Sequence, residues 1–205
     1  MADARNRANV LVGAPDVNAS GGALIGEVAT DAEAYPVDAS TELSVDLGME
    51  PAGFIGEDGI TKTVNRTTEK IRDWNRDTVI VVETEHDVTL SLTFLESANA
   101  TVLKAIYGEE NVIIEGKKIQ VMDAAGELPH KSLAFEMKGG ADKKARLFAA
   151  DAQVTNVGDI TFTKAGLIQY QVDFECFGDA EGKKLRAFFE IDAEAESPSE
   201  DPEAA

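Results

Sequence analysis

A change of hydrophobic period in the middle of the chain limits the fold more than any other feature of the sequence. Apolar residues occupy every second position from Val88 to Phe94, which is the pattern of a strand with one apolar and one polar face. The spacing then becomes helical, with Ser97 as the expected N-cap and Gly108 at the C-terminal end. These limits predict a helix of about three turns, whose apolar stripe around Val102 is buried against the sheet.

The same alternation recurs along the chain and predicts several more strands. The clearest examples are residues 133–138, 148–155, 168–177 and 185–191. In the second of these, one apolar face is expected to consist of Phe148, Ala150, Ala152 and Val154. Many short strands with a single helix predict a mainly β protein, an antiparallel β-sandwich or barrel with one flanking α-helix.

Turn residues predict two short hairpins. Residues 53–64 contain Asp58-Gly59, a pair that tolerates the positive φ angles of tight hairpin turns, and we expect the chain to reverse there. A second hairpin is expected to turn near Gly116.

Charge is distributed unevenly over the 205 residues, whose net charge is −19. Most of it lies in residues 27–50 and in the last residues of the chain, and neither segment contains Lys or Arg. Residues 27–50 have few apolar residues, so we interpret them as a long acidic arm or loop that needs a partner to become ordered. Residues 191–205 have the composition of a disordered acidic tail, which leaves 1–190 as the folded domain.

The most basic stretch, residues 65–76, contains the only tryptophan of the chain. One interpretation is a solvated connector with Trp74 packed into the core. The other is a contact surface for the acidic arm of another copy, because Trp and Arg are enriched where interfaces gain their energy. The candidate contact residues are Arg66, Lys70, Arg72 and Trp74, with Asp31, Glu33 and Asp38 on the acidic side.

No pattern indicates catalysis, a metal site or a cofactor. His86 and His130 each lack a neighbouring ligand residue, and Cys176 falls on the apolar face of a predicted strand, where a thiol is inert. The net negative charge argues against nucleic-acid binding through phosphate neutralisation. No apolar stretch is long enough for a membrane span, and the first residues do not resemble a secretion signal, so we expect synthesis in a cytoplasm.

The polar faces of the best-defined strands carry no Lys or Arg. The residues concerned are Thr89, Ser91, Thr93, Asp151, Gln153, Gln171, Asp173 and Glu175. These residues fit an ordinary solvated sheet in an acidic protein. They also fit a surface past which a polyanion must slide, because each Lys or Arg would form a phosphate contact that retards it.

Two long segments carry a resemblance to a known family. VETEHDVTLSLTFLESANATVLKAIYG, together with the preceding DGITKTVNRTTEKIRDWNRDTV, resembles the major tail protein, or tail tube protein, of siphophages, in particular those of phages that infect actinobacteria. The opening ANVLVGAPDVNASGGALIGE is also similar to the start of that family.

The resemblance implies a tail tube domain over residues 1–190, assembled as hexameric rings in which the sheets of all subunits form one continuous barrel. Stacked rings would form a hollow conduit for genome ejection, with the cation-free strand faces lining the lumen. The implied partners are other copies of the chain, the tape measure, the tail terminator and the distal tail protein. Double-stranded DNA would pass without specific binding, and the protein would reside in the tail of the virion after assembly in the host cytoplasm.

Two alternatives remain open at the level of the sequence. One is a secretion-system tube or a baseplate hub ring component of the same architecture. The other is a β-sandwich carbohydrate-binding module, a class that usually displays exposed aromatic residues on one sheet.

Overall fold

The structure, a computed structural model, describes residues 9–16, 22–139 and 143–191. Within these ranges it contains eleven strands and one α-helix. The strands are β1 (Ala14–Pro15), β2 (Ala23–Gly26), β3 (Glu50–Pro51), β4 (Ile55–Arg72), β5 (Thr78–Phe94), β6 (Val112–Glu115), β7 (Lys118–Val121), β8 (His130–Lys138), β9 (Lys144–Val157), β10 (Tyr170–Cys176) and β11 (Arg186–Glu190), and the helix is α1 (Ala100–Tyr107). Apart from Ile191, the predicted acidic tail lies outside the described residues.

One antiparallel sheet forms most of the fold. Its strand order is β3-β2-β8-β9-β10-β5-β4, with β1 paired to β8 and β11 paired to β9. The prediction of a mainly β, antiparallel protein with a flanking helix is confirmed, but within the described residues β4 and β3 remain unpaired edges, so the sheet is not a closed barrel. The small β6–β7 hairpin turns at Gly116, as predicted.

The main core lies between one face of the sheet and α1. Every second residue from Val88 to Phe94 is buried, as predicted, and α1 contributes Val102, Leu103 and Ile106. Cys176 is also buried in this core, so its predicted position on the apolar face is confirmed, and burial raises the pKa of its thiol to about 12.

The helix is shorter than predicted and begins later. Its N-cap is Asn99, whose side-chain oxygen accepts hydrogen bonds from the backbone of Thr101 and Val102 at 3.0 and 3.4 Å. Ser97 is therefore wrong as the N-cap. The carboxylate of Glu96 accepts hydrogen bonds from the Phe54 backbone and the Asn99 side chain, which holds the preceding residues as a connection rather than a helical turn.

Residues 27–50 pack against the other face of β2, β8 and β9 and form a second core. Ala29, Tyr35 and Leu47 are buried there together with Phe148. Two 3-10 turns, Ala32–Ala34 and Val45–Leu47, shape the segment. The expectation that this acidic segment needs a partner to become ordered is wrong, because a few well-spaced apolar side chains anchor it on its own sheet.

A β-bulge in β9 makes one strand serve both cores. The pairing with β8 shifts between Lys131 and Leu133, so β9 has one extra residue at this point. Phe148 and Ala150 consequently belong to the second core, whereas Ala152 and Val154 belong to the main core. The prediction that these four residues share one face is therefore wrong.

Strands β4 and β5 form one long hairpin instead of the short one predicted at Asp58-Gly59. Those two residues lie in an irregular stretch between Ile55 and Ile60, where Gly59 has φ 66°. The chain reverses only at residues 73–77. A positive φ is compatible with a bulge as well as with a turn, so the dipeptide alone does not distinguish them.

Candidate functional surfaces

The structure brings the predicted polar strand residues together on one face of β9, β10 and β5. Across β5 and β10, Thr89 pairs with Glu175, Ser91 with Asp173, and Thr93 with Gln171. Across β10 and β9, Glu175 pairs with Gln153, and Asp151 lies one pleat further along β9. We call this surface the polar face. It is the side opposite the main core, and residues 27–50 cover this side of the sheet only over β2, β8 and the first half of β9.

The polar face is acidic, but one cation reaches it. Lys184, in the connection between β10 and β11, places its Nζ 3.2 Å from an oxygen of Asp87 and 3.7 Å from one of Glu175. The prediction of a face without Lys or Arg therefore holds for the strand positions and fails for this loop. Strand alternation gives the direction of strand side chains only, so it could not reveal a lysine that reaches in from a connection.

Polar contacts within the face fix its side chains. The Thr89 hydroxyl donates to Glu175 at 3.0 Å, and Asn156 donates to the carboxylate of Asp173 at 2.9 Å. At the β8 end, Nδ1 of His130 lies 2.6 Å from an oxygen of Asp151. Among the described residues, no group of three or more His, Cys, Asp or Glu side chains is arranged to hold a metal ion.

Beyond the polar face, β4 and β5 project as a two-stranded ribbon. The third strand, β10, ends where Cys176 pairs with Val88, and every residue from 65 to 85 is exposed. At about 3.3 Å per residue the ribbon extends about 25 Å past the sheet. We call residues 65–86 the ribbon.

The tip of the ribbon is a defined turn that presents Trp74. Asp73 accepts a hydrogen bond from the Asp77 backbone through its carboxylate, at 2.8 Å, and one from the Arg76 backbone through its carbonyl, at 3.0 Å. Arg76 adopts φ 69° to close the turn. Trp74 is 100% exposed, so the interpretation that places it in the core is wrong.

The two faces of the ribbon differ in charge. Along β4, Arg66, Lys70 and Arg72 are separated by even numbers of residues and lie on the side that continues the main core. Arg66 pairs with Glu83 at 3.1 Å. The other side continues the polar face, and there β4 presents Thr67 and Glu69, with no Lys or Arg. The predicted basic contact residues therefore share one surface.

The acidic contact candidates lie at the start of the segment that covers the second core. Asp31 and Glu33 are exposed, and Asp31 accepts a hydrogen bond from the Glu33 backbone. Asp38 accepts hydrogen bonds from both the hydroxyl and the backbone of Thr41, which hold the pKa of its carboxyl below the usual range. Among the described residues, no ion pair joins residues 27–50 to the ribbon of the same chain.

Comparison with protein families places the chain in a known type of protein. The family described as phage tail tube protein matches residues 13–199, a range that includes both cores, the polar face and the ribbon. The chain belongs to the phage tail tube protein family. The resemblance seen in the sequence is thus confirmed at the level of the family, and this tail tube protein is a structural component of a phage tail.

Among solved structures, this tail tube protein is similar to one described as the cap of the anti-feeding prophage, a tube-terminating cap. The TM-score is 0.44 and the sequence identity 9%, over 91% of this chain and 98% of that chain. Comparison with curated protein sequences gives no match. No helix within the described part of this tail tube protein is long and apolar enough to cross a membrane.

One exposed apolar surface of this tail tube protein was not predicted from the sequence. Val79, Ile80, Val81 and Val82 are between 42 and 61% exposed on the ribbon. In sequence this apolar run has the composition of a buried strand. Only the pairing shows that, within the described ranges, no third strand lies beside it. An exposed apolar strand edge of this kind tends to pair with another chain.

Proposed function

We propose that this chain is the tube subunit of a long, non-contractile siphophage tail, of the type found in phages of actinobacteria. Six copies form a ring, and rings stack into a hollow conduit through which the genome leaves. The observation that carries the proposal is the polar face, whose strand positions bear no cation and whose side chains stay partly or fully exposed within the described part of the chain. In this arrangement Thr89, Ser91, Thr93, Asp151, Gln153, Gln171, Asp173 and Glu175 line the lumen.

Electrostatics supports this orientation. Double-stranded DNA is a polyanion, and every Lys or Arg in the wall would add a salt-dependent phosphate contact that slows its passage. The lysine that reaches the face, Lys184, is neutralised by Asp87 and Glu175. DNA therefore meets hydroxyls, amides and carboxylates rather than unpaired positive charge.

The free edge of the sheet supports assembly. Of the strands in the described ranges, only β5 pairs with β4, so the outer edge of β4 presents backbone groups that none of these strands covers. Soluble proteins cover such edges, and a ring of identical copies does so by continuing the sheet from one subunit to the next. The tape measure, the tail terminator and the distal tail protein are the further partners in the virion tail, which is assembled in the host cytoplasm.

Charge complementarity suggests how copies recognise each other. Arg66, Lys70 and Arg72 line one side of the ribbon, and residues 27–50 contain carboxylates but no Lys or Arg of their own. We propose that the ribbon of one copy lies against the acidic segment of another, with Trp74 at the contact and Asp31, Glu33 and Asp38 on the acidic side.

The test is electron microscopy of the purified protein after negative staining. The wild-type chain should form rings or tubes, and a triple variant with Arg66→Glu, Lys70→Glu and Arg72→Glu should not polymerise. A matched control reverses three exposed lysines elsewhere, Lys117, Lys118 and Lys164, and should assemble normally. Wild-type protein that stays dispersed under all conditions would exclude the tube, and normal tubes from the first variant would exclude the charge pairing.

A further inference from the structure

An apolar groove opens where the curled sheet fails to close. It has a volume of about 460 Å³ and lies between the β1, β2 and β8 side of the sheet and the irregular start of β4. Its apolar lining comes from Pro15, Phe54, Ile55, Ile60, Met137 and Leu147. A concave apolar surface of this size, about that of a small-molecule site, is costly to leave in water.

The chain contains one fully exposed side chain whose apolar surface suits this groove, that of Trp74. Trp74 makes no use of its large apolar surface in the single subunit, although a Trp side chain buries roughly 150–250 Å² when it docks. The residues outside the described ranges contain no aromatic side chain.

We propose that the indole of Trp74 inserts into this groove on a second copy of the chain. The inference rests on the proposed function and names the contact that joins one ring to the next. Charge favours the pairing. Residues 70–77 around Trp74 include three cations and two carboxylates, and the groove is bordered by the exposed carboxylates of Glu57 and Asp58, with no Lys or Arg among the described residues that line it.

The positions of anchor and groove produce an open stack. The groove adjoins the first residues of β4 and Trp74 follows the last, so the two contact surfaces lie at opposite ends of one element. A contact between opposite ends is heterologous and repeats from copy to copy without closing. The strand from Ile60 to Arg72 spans about 40 Å at about 3.3 Å per residue, which sets an axial repeat of about 40 Å or less.

Docking of Trp74 in the apolar groove also brings the ribbon close to the acidic segment, residues 27–50. A second groove of about 690 Å³ shares Glu136 and Met137 with the apolar groove, and its charged lining includes Glu42 and Glu50 beside Lys144 and Arg146. A ribbon whose tip occupies the apolar groove passes close to these carboxylates. Glu42 and Glu50 therefore add to the acidic contact residues of the same segment.

Trp74 is the only tryptophan, so its fluorescence reports the docking directly. On assembly of wild-type subunits, the emission should move to shorter wavelength and acrylamide quenching should fall. Phe54→Asp, a change at an exposed residue of the groove, should abolish both effects together with ring stacking. Phe162→Asp, at an exposed residue outside the groove, should leave them unchanged. Trp74→Ala should raise the protein concentration needed for tubes by about thirtyfold or more, as for an interface anchor.

Cross-linking identifies the site without altering Trp74. A variant with Asn75→Cys and Asp58→Cys should form a ladder of covalent oligomers with a short bismaleimide in assembled tubes, whereas Asn75→Cys with Thr161→Cys should not. Tubes in which the emission of Trp74 is unchanged, or in which the first variant cross-links no better than the control, would overturn the inference and leave the tube function intact. Failure of the wild-type chain to assemble would overturn both.

Discussion

At the scale of single residues, Arg146 connects a buried ion pair within the sheet to the acidic segment. Nε of Arg146 donates to Glu136 at 2.7 Å, with the two residues 4 and 7% exposed. A second nitrogen of Arg146 donates to the carbonyl of Asp38 at 2.9 Å. Burial raises the pKa of the Glu136 carboxyl, although Arg146 opposes the shift. Desolvation therefore disfavours both charges, and each charge needs the other to remain buried.

Removal of Arg146 alone should be strongly destabilising. Arg146→Met leaves the carboxylate of Glu136 buried without its partner, and we expect a loss of about 3–5 kcal/mol in the free energy of unfolding. The double variant Glu136→Leu, Arg146→Met should recover most of that loss, because it buries no charge. Urea denaturation followed by circular dichroism measures both. A single variant as stable as the wild type would show that water or a rearranged segment solvates Glu136.

At the scale of elements, the ribbon is separable from the fold. Residues 67–85 contribute no buried side chain, and Arg66 and His86 face each other across the hairpin. Replacing 67–85 by Asn-Gly, a pair suited to two-residue hairpins, should change the unfolding free energy by less than about 1 kcal/mol. The shortened chain should lose polymerisation.

Circular dichroism and sedimentation distinguish these two effects. The shortened protein should unfold at nearly the wild-type denaturant concentration and sediment only as a subunit or a single ring. A large loss of stability would instead mean that the exposed apolar run at 79–82 supports the sheet, contrary to its exposure in the structure.

Individual strands and turns show which parts of the fold could be predicted from the sequence. Alternation predicted the buried faces of Val88–Phe94 and Tyr170–Cys176 correctly, because these strands are regular and one face is apolar. It failed for β9, since one extra residue at a bulge inverts the side-chain direction and the small apolar residue Ala150 fits either face. The hairpin was misplaced because Asp58-Gly59 suits a bulge as well as a turn.

At the scale of the whole molecule, the main sheet has three surfaces, which differ in what covers them. The main-core side is covered by α1, and part of the opposite side is covered by residues 27–50. The remainder is the polar face, which continues along the ribbon as a side without Lys or Arg. The sequence predicted its strand residues, since alternation and composition are local, but Lys184 and the groove depend on how distant segments meet, and no local pattern encodes that.

Lysines on the polar face should slow DNA without preventing assembly. Ser91→Lys combined with Gln171→Lys adds two cations per subunit at uncharged positions of neighbouring strands, and tubes should still form because neither side chain is in a core. Genome ejection should be several-fold slower at low salt, and the difference should shrink as salt screens phosphate contacts. The control, Thr161→Lys with Thr163→Lys in the exposed connection before β10, adds the same charge away from the face and should eject at the wild-type rate. Equal rates for both variants at every salt concentration would mean that the polar face does not meet the DNA, whereas a salt-dependent delay confined to the first variant requires that it does.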